Sequence, residues 1–257
     1  MATKKKPIAT EEPVVHSVKG FDRNMQCRGF QFEIGKTYEH KGDVQACESG
    51  FHACDHPLDV FGYYPPASSR YAAVIQGGKL SRHSDDNKIA SAKITIEAEL
   101  SLPQVIERAV KWVFDRAKWS EGPVVTGANE GATASGDQGA ATASGDQGAA
   151  TASGDQGAAT ASGDQGAATA SGTRGAATAS GYQGAATASG YQGAATASGT
   201  RGAVRGDKDG IALFTVYRDE YTAEIKHAWA GITGRNGVKV GVWYRLNKDG
   251  QPVEVER

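Results

Sequence analysis

Four side chains of the zinc-ligand type, Cys47, His52, Cys54 and His56, fall within ten residues of one another. Thiolate and imidazole are the donors zinc prefers in proteins. The spacing fits no common zinc finger, and His52 and Cys54 share a face only if they lie on a regular strand. The alternative reading is buried thiols beside a loop histidine. The three cysteines, Cys27, Cys47 and Cys54, make an odd count, and the chain starts without an apolar signal segment. Both features point to reduced thiols in a cytosolic compartment. The sequence contains no phosphate loop, nucleophile elbow or metalloprotease motif, so no catalytic residue and no cofactor is assigned.

The second set of patterned side chains lies in a repeat. The unit Gly-Ala-Ala-Thr-Ala-Ser-Gly-Asp-Gln recurs eight times, with threonine at 133, 142, 151, 160, 169, 178, 187 and 196. Its first five residues, such as Ala140 to Ser144, suit a strand. The following Gly145-Asp146-Gln147-Gly148 has turn chemistry. Nine residues cannot close a coil, but two units can, which predicts a nonapeptide β-solenoid of about four two-strand coils. Alternation places Ala141 and Ala143 inside, and Ala140, Thr142 and Ser144 outside. An alanine interior buries little area per coil, so stability must lean on the backbone ladder, on caps and on self-association.

The residues between the turn glycines vary. Asp137, Asp146, Asp155 and Asp164 come first, then Arg174, Tyr182, Tyr191 and Arg201. With 18 residues per coil, one edge carries Asp137, Asp155, Thr173 and Tyr191, and the other Asp146, Asp164, Tyr182 and Thr200. The Tyr/Arg end has the composition of a recognition patch. A single Asp per turn does not build a calcium site.

Around the repeats the chain divides into a disordered leader over residues 1–13, an N-terminal α+β domain over 14–120, repeats over 121–202 and a β-rich cap over 203–257. Phe30, Phe32 and Ile34 alternate like a strand ending at Gly35. Arg70 to Ile75 and Lys93 to Leu100 also read as strands. Apolar residues at Ile106, Ala109, Val110, Val113, Phe114 and Ala117 predict a helix over 103–118, with Ser101 as N-cap and Pro103 in its first turn. Its place before the repeats suggests a capping helix. Ile211 to Tyr217, Tyr221 to Trp229, Val238 to Leu246 and Pro252 to Glu256 read as four strands, with hairpin signals at Asn236-Gly237 and Asp249-Gly250. The fold class is therefore mainly β.

Three blocks are distinctive: Cys27 to Glu39, Gly50-Phe51-His52-Ala53-Cys54, and Pro57-Leu58-Asp59-Val60-Phe61 followed by Gly62-Tyr63-Tyr64. They resemble an N-terminal domain of phage and prophage proteins of unknown function, over roughly residues 18 to 120. In that family the domain often precedes short Ala/Ser/Thr/Gly repeats. The resemblance implies a viral or prophage origin and a bacterial cytoplasmic location, and it carries no activity. The Gly-Phe-His block with Tyr63, Tyr64 and the strand opening at Arg70 also resembles ADP-ribosyltransferase-like folds, in which a strand histidine and a later tyrosine hold a nicotinamide cofactor. Glu97 and Glu99 stand as guesses for the acid.

A net charge of −1 gives no field to attract nucleic acid or an anionic membrane. No apolar run approaches the roughly 20 residues that span a bilayer. The sequence thus points to a non-enzymatic binding protein whose solenoid edges engage a host or anti-phage-defence component. The alternatives are an oligomeric virion-associated part, an ice-binding surface of Thr-x-Ser ladders, and a nucleotide-binding N-terminal domain with His52, Tyr63, Tyr64 and Arg70 at its site.

Overall fold

The computed structural model describes residues 14–82 and 88–257. The leader expected over residues 1–13 lies outside them. The chain divides between Leu100 and Ser101 into two units, each with its own core.

The first unit is antiparallel. Its strands are β1 (Val15–Phe21), β2 (Gln26–Cys27), β3 (Phe30–Gln31), β4 (Thr37–Glu39), β5 (Phe51–Cys54), β6 (Arg70–Arg82) and β7 (Lys88–Leu100). β1 pairs with β5 and β6, and β7 pairs with β5 and β6, so these four close a ring, with β4 added at the edge of β7. Inside lie Phe21, Met25, Phe32, Ala72, Val74, Ile94 and Ile96. A buried polar chain ties the ring: Ser17 Oγ donates to Gln76 Oε1 at 2.9 Å, and Gln76 Nε2 donates to the carbonyls of Phe51 at 3.0 Å and Ile89 at 2.8 Å.

The alternation of Phe30, Phe32 and Ile34 does not make a strand. Positive φ at Arg28, Gly29 and Gly35 confines the chain to the short β2–β3 hairpin. Phe32 enters the core, while Phe30 and Ile34 stay exposed.

The second unit opens with α1 (Leu102–Arg116). Ser101 caps it, its backbone N–H donating to Gln104 Oε1 at 2.8 Å. β8 (Val124–Val125) comes next, and the eight repeats then form β9 (Gly131–Ala134), β10 (Ala140–Ala143), β11 (Ala149–Ala152), β12 (Ala158–Ala161), β13 (Ala167–Ala170), β14 (Ala176–Ala179), β15 (Ala185–Ala188) and β16 (Ala194–Ala197). β17 (Ala203–Gly206), β18 (Ala212–Arg218), β19 (Ile225–Ile232), β20 (Trp243–Leu246) and β21 (Pro252–Val255) follow. Even-numbered strands from β8 to β18 stack as one parallel sheet and odd-numbered strands from β9 to β17 as the other. The register is 18 residues, Ala140 beside Ala158 and Ala149 beside Ala167. The flanking strands β8, β17 and β18 extend the stack beyond the eight repeats, to about five turns.

The interior is alanine, as the alternation requires: Ala141, Ala143, Ala159 and Ala161 are fully buried. The turn glycines serve a purpose other than φ. The left-handed residue of each turn is the glutamine or arginine, with φ of 57° at Gln138, 55° at Gln147 and 57° at Arg174. The glycine before it is needed for stacking, because a Cβ on Gly163 would sit 2.1 Å from the Gly145 carbonyl oxygen one coil away.

The helix lies along the stack. Val113 packs on Ala158 and Ala176, Lys118 just beyond it pairs with Gly139, and the helix also contacts β18 and β19. It therefore shields the outer face of one sheet and not the open strand at its end. This accounts for the burial of the outward alanines Ala158 and Ala176; on the other sheet Ala149 is exposed and Ala167 half-buried, and only towards the far end, at Ala185 and Ala203, is that row buried too.

Antiparallel strands finish the far end, β19 on β18 and β20 on β17, with β21 on β20. Val204, Ile211, Leu213 and Tyr244 enlarge the core there. Asp249-Gly250 closes the β20–β21 hairpin. Asn236-Gly237 does not close one, because β19 and β20 belong to different sheets. It turns the chain from one sheet to the other, the Gly234 N–H donating to the Val238 carbonyl at 2.7 Å. Among the described residues no helix is long and apolar enough to cross a membrane.

Candidate functional site

A cleft of about 740 Å³ opens in the first unit. β1 supplies Val18, Lys19 and Gly20, the β2–β3 hairpin supplies Cys27, Arg28 and Phe30, and β5 supplies Phe51 to Cys54. Tyr63 and Tyr64 follow a 3-10 turn at Pro57–Gly62, which begins with Pro57 and carries the buried His56–Asp59 pair.

Lys19 is the unusual member. Strand alternation puts it on the same side as Ser17 and Phe21, and it is only 5% exposed. Its Nζ donates to the His52 carbonyl at 2.8 Å, lies 3.5 Å from Cys27 Sγ, and stands 5.2 Å from the centre of the Phe32 ring. Burial pulls its pKa below the ordinary lysine value, and the neighbouring Cys27 partly offsets this.

Tyr64 is locked above Gly20, where a Cβ would come within 2.4 Å of its ring. The Tyr71 hydroxyl donates to the Tyr64 carbonyl at 2.6 Å. Burial and a hydrogen bond with Cys27 hold the Tyr64 hydroxyl protonated well beyond its usual range. The Lys88 ammonium lies 4.5 Å over the Tyr63 ring.

His52, Tyr63 and Tyr64, expected to act together, do line this cleft. Arg70 does not join them. Its guanidinium makes a two-pronged pair with Glu99, both bonds at 2.6 Å. Glu97 lies 3.8 Å from His16 Nδ1; neither suggested acid lines the cleft, and among the described residues the carboxylate that does is Glu48. His52 is committed to backbone: its Nε2 accepts the Cys47 N–H at 3.0 Å, and it bonds the Gly50 carbonyl. Desolvation, then Lys19, lowers its pKa.

The four zinc-type residues do not converge. Among the described residues no three His, Cys, Asp or Glu side chains gather as a metal site. Cys47 is exposed, Cys54 is buried, and His56 sits against Asp59. Lys19, Arg28 and Lys88 were not among the expected site residues, and Cys27 was expected only as a reduced thiol. The one signal was a lysine at an inward position of a strand.

The solenoid edges follow the expected pairing of alternate units. The Gln138 N–H donates to the Asp155 carbonyl and the Gln147 N–H to the Asp164 carbonyl. The aspartates are used within the rod. Asp155 Oδ1 accepts the Thr173 N–H at 2.9 Å, Asp164 Oδ1 the Tyr182 N–H at 3.1 Å, and Asp146 Oδ1 the Asp164 N–H at 3.3 Å. Arg201 pairs with Glu220 at 2.7 Å and lies 5.9 Å from the centre of the Tyr182 ring. Tyr191 is 62% exposed and Tyr182 39%. The Arg174 backbone N–H donates to the Tyr191 carbonyl.

Residues 15–108 match the family model described as a domain of unknown function (DUF7666). The match covers the first unit and ends inside α1, ahead of the repeats. No curated protein and no solved structure matches the chain.

Proposed function

We propose that the protein is a non-enzymatic binding protein whose N-terminal domain holds a small anionic ligand and whose β-solenoid is the rigid body that carries it. The cleft is the observation behind this reading. Among the described residues, Lys19, Arg28 and Lys88 line it with one carboxylate, Glu48, and Phe30, Phe51, Tyr63 and Tyr64 supply ring faces. Cations for a phosphate and rings for a planar base suit a nucleotide. His52, spent on two backbone partners, positions the wall and is not poised as a base. The resemblance of residues 18–120 to phage and prophage domains supports a viral origin and a bacterial cytoplasmic setting, where holding such a ligand would deprive a host or defence system of it.

Isothermal titration of the full chain with purine nucleotides tests this, together with mass spectrometry of small molecules released from the purified protein. Saturable binding that Lys19→Met weakens by about tenfold or more supports it. Absence of both binding and any co-purified anion overturns it.

A second reading, recognition of a protein partner by the solenoid edge, is favoured by the exposed Tyr182 and Tyr191. A partner captured by the wild-type chain should be lost on replacing both by serine. The internal use of Asp146, Asp155 and Asp164 leaves the acidic end of the edges a structural role.

A further inference from the structure

At the far end of the rod, a cleft of about 390 Å³ is lined by Gln183, Arg201, Ala203, Arg245, Val255, Glu256 and Arg257. Three of its seven lining residues are arginines, and one is acidic. Arg201 and Arg245 also line a 410 Å³ hollow with Arg218, Lys248 and the carboxylate of Glu220. They form the wall between the two spaces.

The three guanidinium groups differ in how they are held. Arg257 is fixed: its Nη1 donates to the Gly184 carbonyl at 3.1 Å, its Nη2 donates to the Gln183 carbonyl, and it stacks 5.6 Å from the centre of the Trp243 ring. Arg201 is fixed by Glu220. Arg245, on β20 opposite Val253 of β21, has no hydrogen bond or ion pair among the described residues. It is half-buried. Burial and the like charge of Arg245 both disfavour the charged form of Arg257. Backbone carbonyls satisfy two donors of Arg257 but do not neutralise the pair.

We propose that this cleft is an oxyanion site that takes a phosphate group of a small molecule, with the open fork of Arg245 as its main ligand and Arg257 and Arg201 as its walls. A tetrahedral dianion matches the two-pronged geometry of a guanidinium and removes the repulsion between Arg245 and Arg257. A carboxylate or phosphate on a larger molecule would use the same groups, and the adjoining hollow leaves room for the remainder. The site lies in the second unit and does not depend on the reading of the N-terminal cleft.

The test is isothermal titration of the full chain with inorganic phosphate and with pyrophosphate at about 50 mM salt, where screening is weak. Saturable binding is expected. Arg245→Gln should weaken it about tenfold or more, and Arg245→Lys, which keeps the charge and loses the fork, should fall between. Because the N-terminal cleft can also take phosphate, the titrations are repeated in the Lys19→Met background, where the binding that depends on Arg245 should persist and so separates the two sites. Pyrophosphate binding tighter than phosphate assigns the adjoining hollow to the ligand, and equal binding confines the ligand to the arginine cleft. The proposal is overturned if neither anion binds, if Arg245→Gln binds as the wild type does, or if Lys19→Met abolishes the binding. Unchanged circular dichroism of the Arg245 variants excludes unfolding as the cause, and should Arg245→Gln unfold, Arg245→Lys carries the comparison alone.

Discussion

Protonation of His52 would place a second cation beside Lys19 and remove the lone pair that accepts the Cys47 N–H. Its folded pKa lies below the unfolded value of 6.5. In the window between them the unfolded chain binds the proton more readily, so stability is full above the unfolded value and falls as pH drops through the window. The thermal midpoint of the first unit should decrease between about pH 7 and about pH 5. His52→Gln cannot titrate and can still accept the Cys47 N–H through its Oε1, so it should show a smaller decrease. Equal decreases in the two proteins would remove His52 as the cause. Residue types such as these were visible in the sequence, but their company was not. Cys47 and His52 stood out as metal ligands because they are close in number. Lys19 and Cys27 meet only because β1 lies beside the β2–β3 hairpin. The turn aspartates were legible as tips, while their bonds to the next coil required the stack to be closed first.

α1 could be read from its period of three and four, because an amphipathic stripe is a property of the helix alone. What the stripe covers was not legible. The repeat sequence is the same in both sheets, so nothing in it says which sheet the helix shields. One consequence is a cost on the covered face. Thr178 shares that face with Ala176, and its hydroxyl is buried with no hydrogen-bond partner among the described residues, as is that of Thr160. Thr178→Val exchanges the hydroxyl for a methyl of the same shape, and should raise the stability of the second unit by about 1 kcal/mol. Thr151→Val, on the other sheet, should change it by less than about 0.5 kcal/mol. Denaturant midpoints of the two variants check this, and a loss of stability in Thr178→Val would contradict it. Hairpin signals were less dependable than helix period. Asp249-Gly250 closes a hairpin and Asn236-Gly237 does not, because a turn dipeptide fixes a local bend and leaves open which sheet the chain enters afterwards.

The rod as a whole is held in step by its period. Eighteen residues return the chain to the same sheet, and this spacing was legible because the threonines count it out. The helix acts as a strut on that count. Its fifteen residues span about 22 Å at ~1.5 Å each. The strands β10 to β18 of the covered sheet span about 19 Å at ~4.8 Å each. The terminal strands are specific to their sheets, β19 continuing the one beside α1 and β20 the other. Duplicating residues 145–162, a full coil, therefore keeps every later strand in its sheet and lengthens the covered face to about 24 Å, slightly beyond the reach of the helix. Its thermal unfolding should remain cooperative, with a midpoint a few degrees lower. Duplicating residues 145–153, half a coil, sends every later strand to the opposite sheet. β18 and the β19 paired with it, both of which contact α1, then arrive on the side away from the helix, and α1 loses those contacts at that end. Sharp unfolding should disappear in that protein. Equal stability of the two insertions would mean that the repeats tolerate any whole number of units and that neither helix nor terminal strands select a sheet.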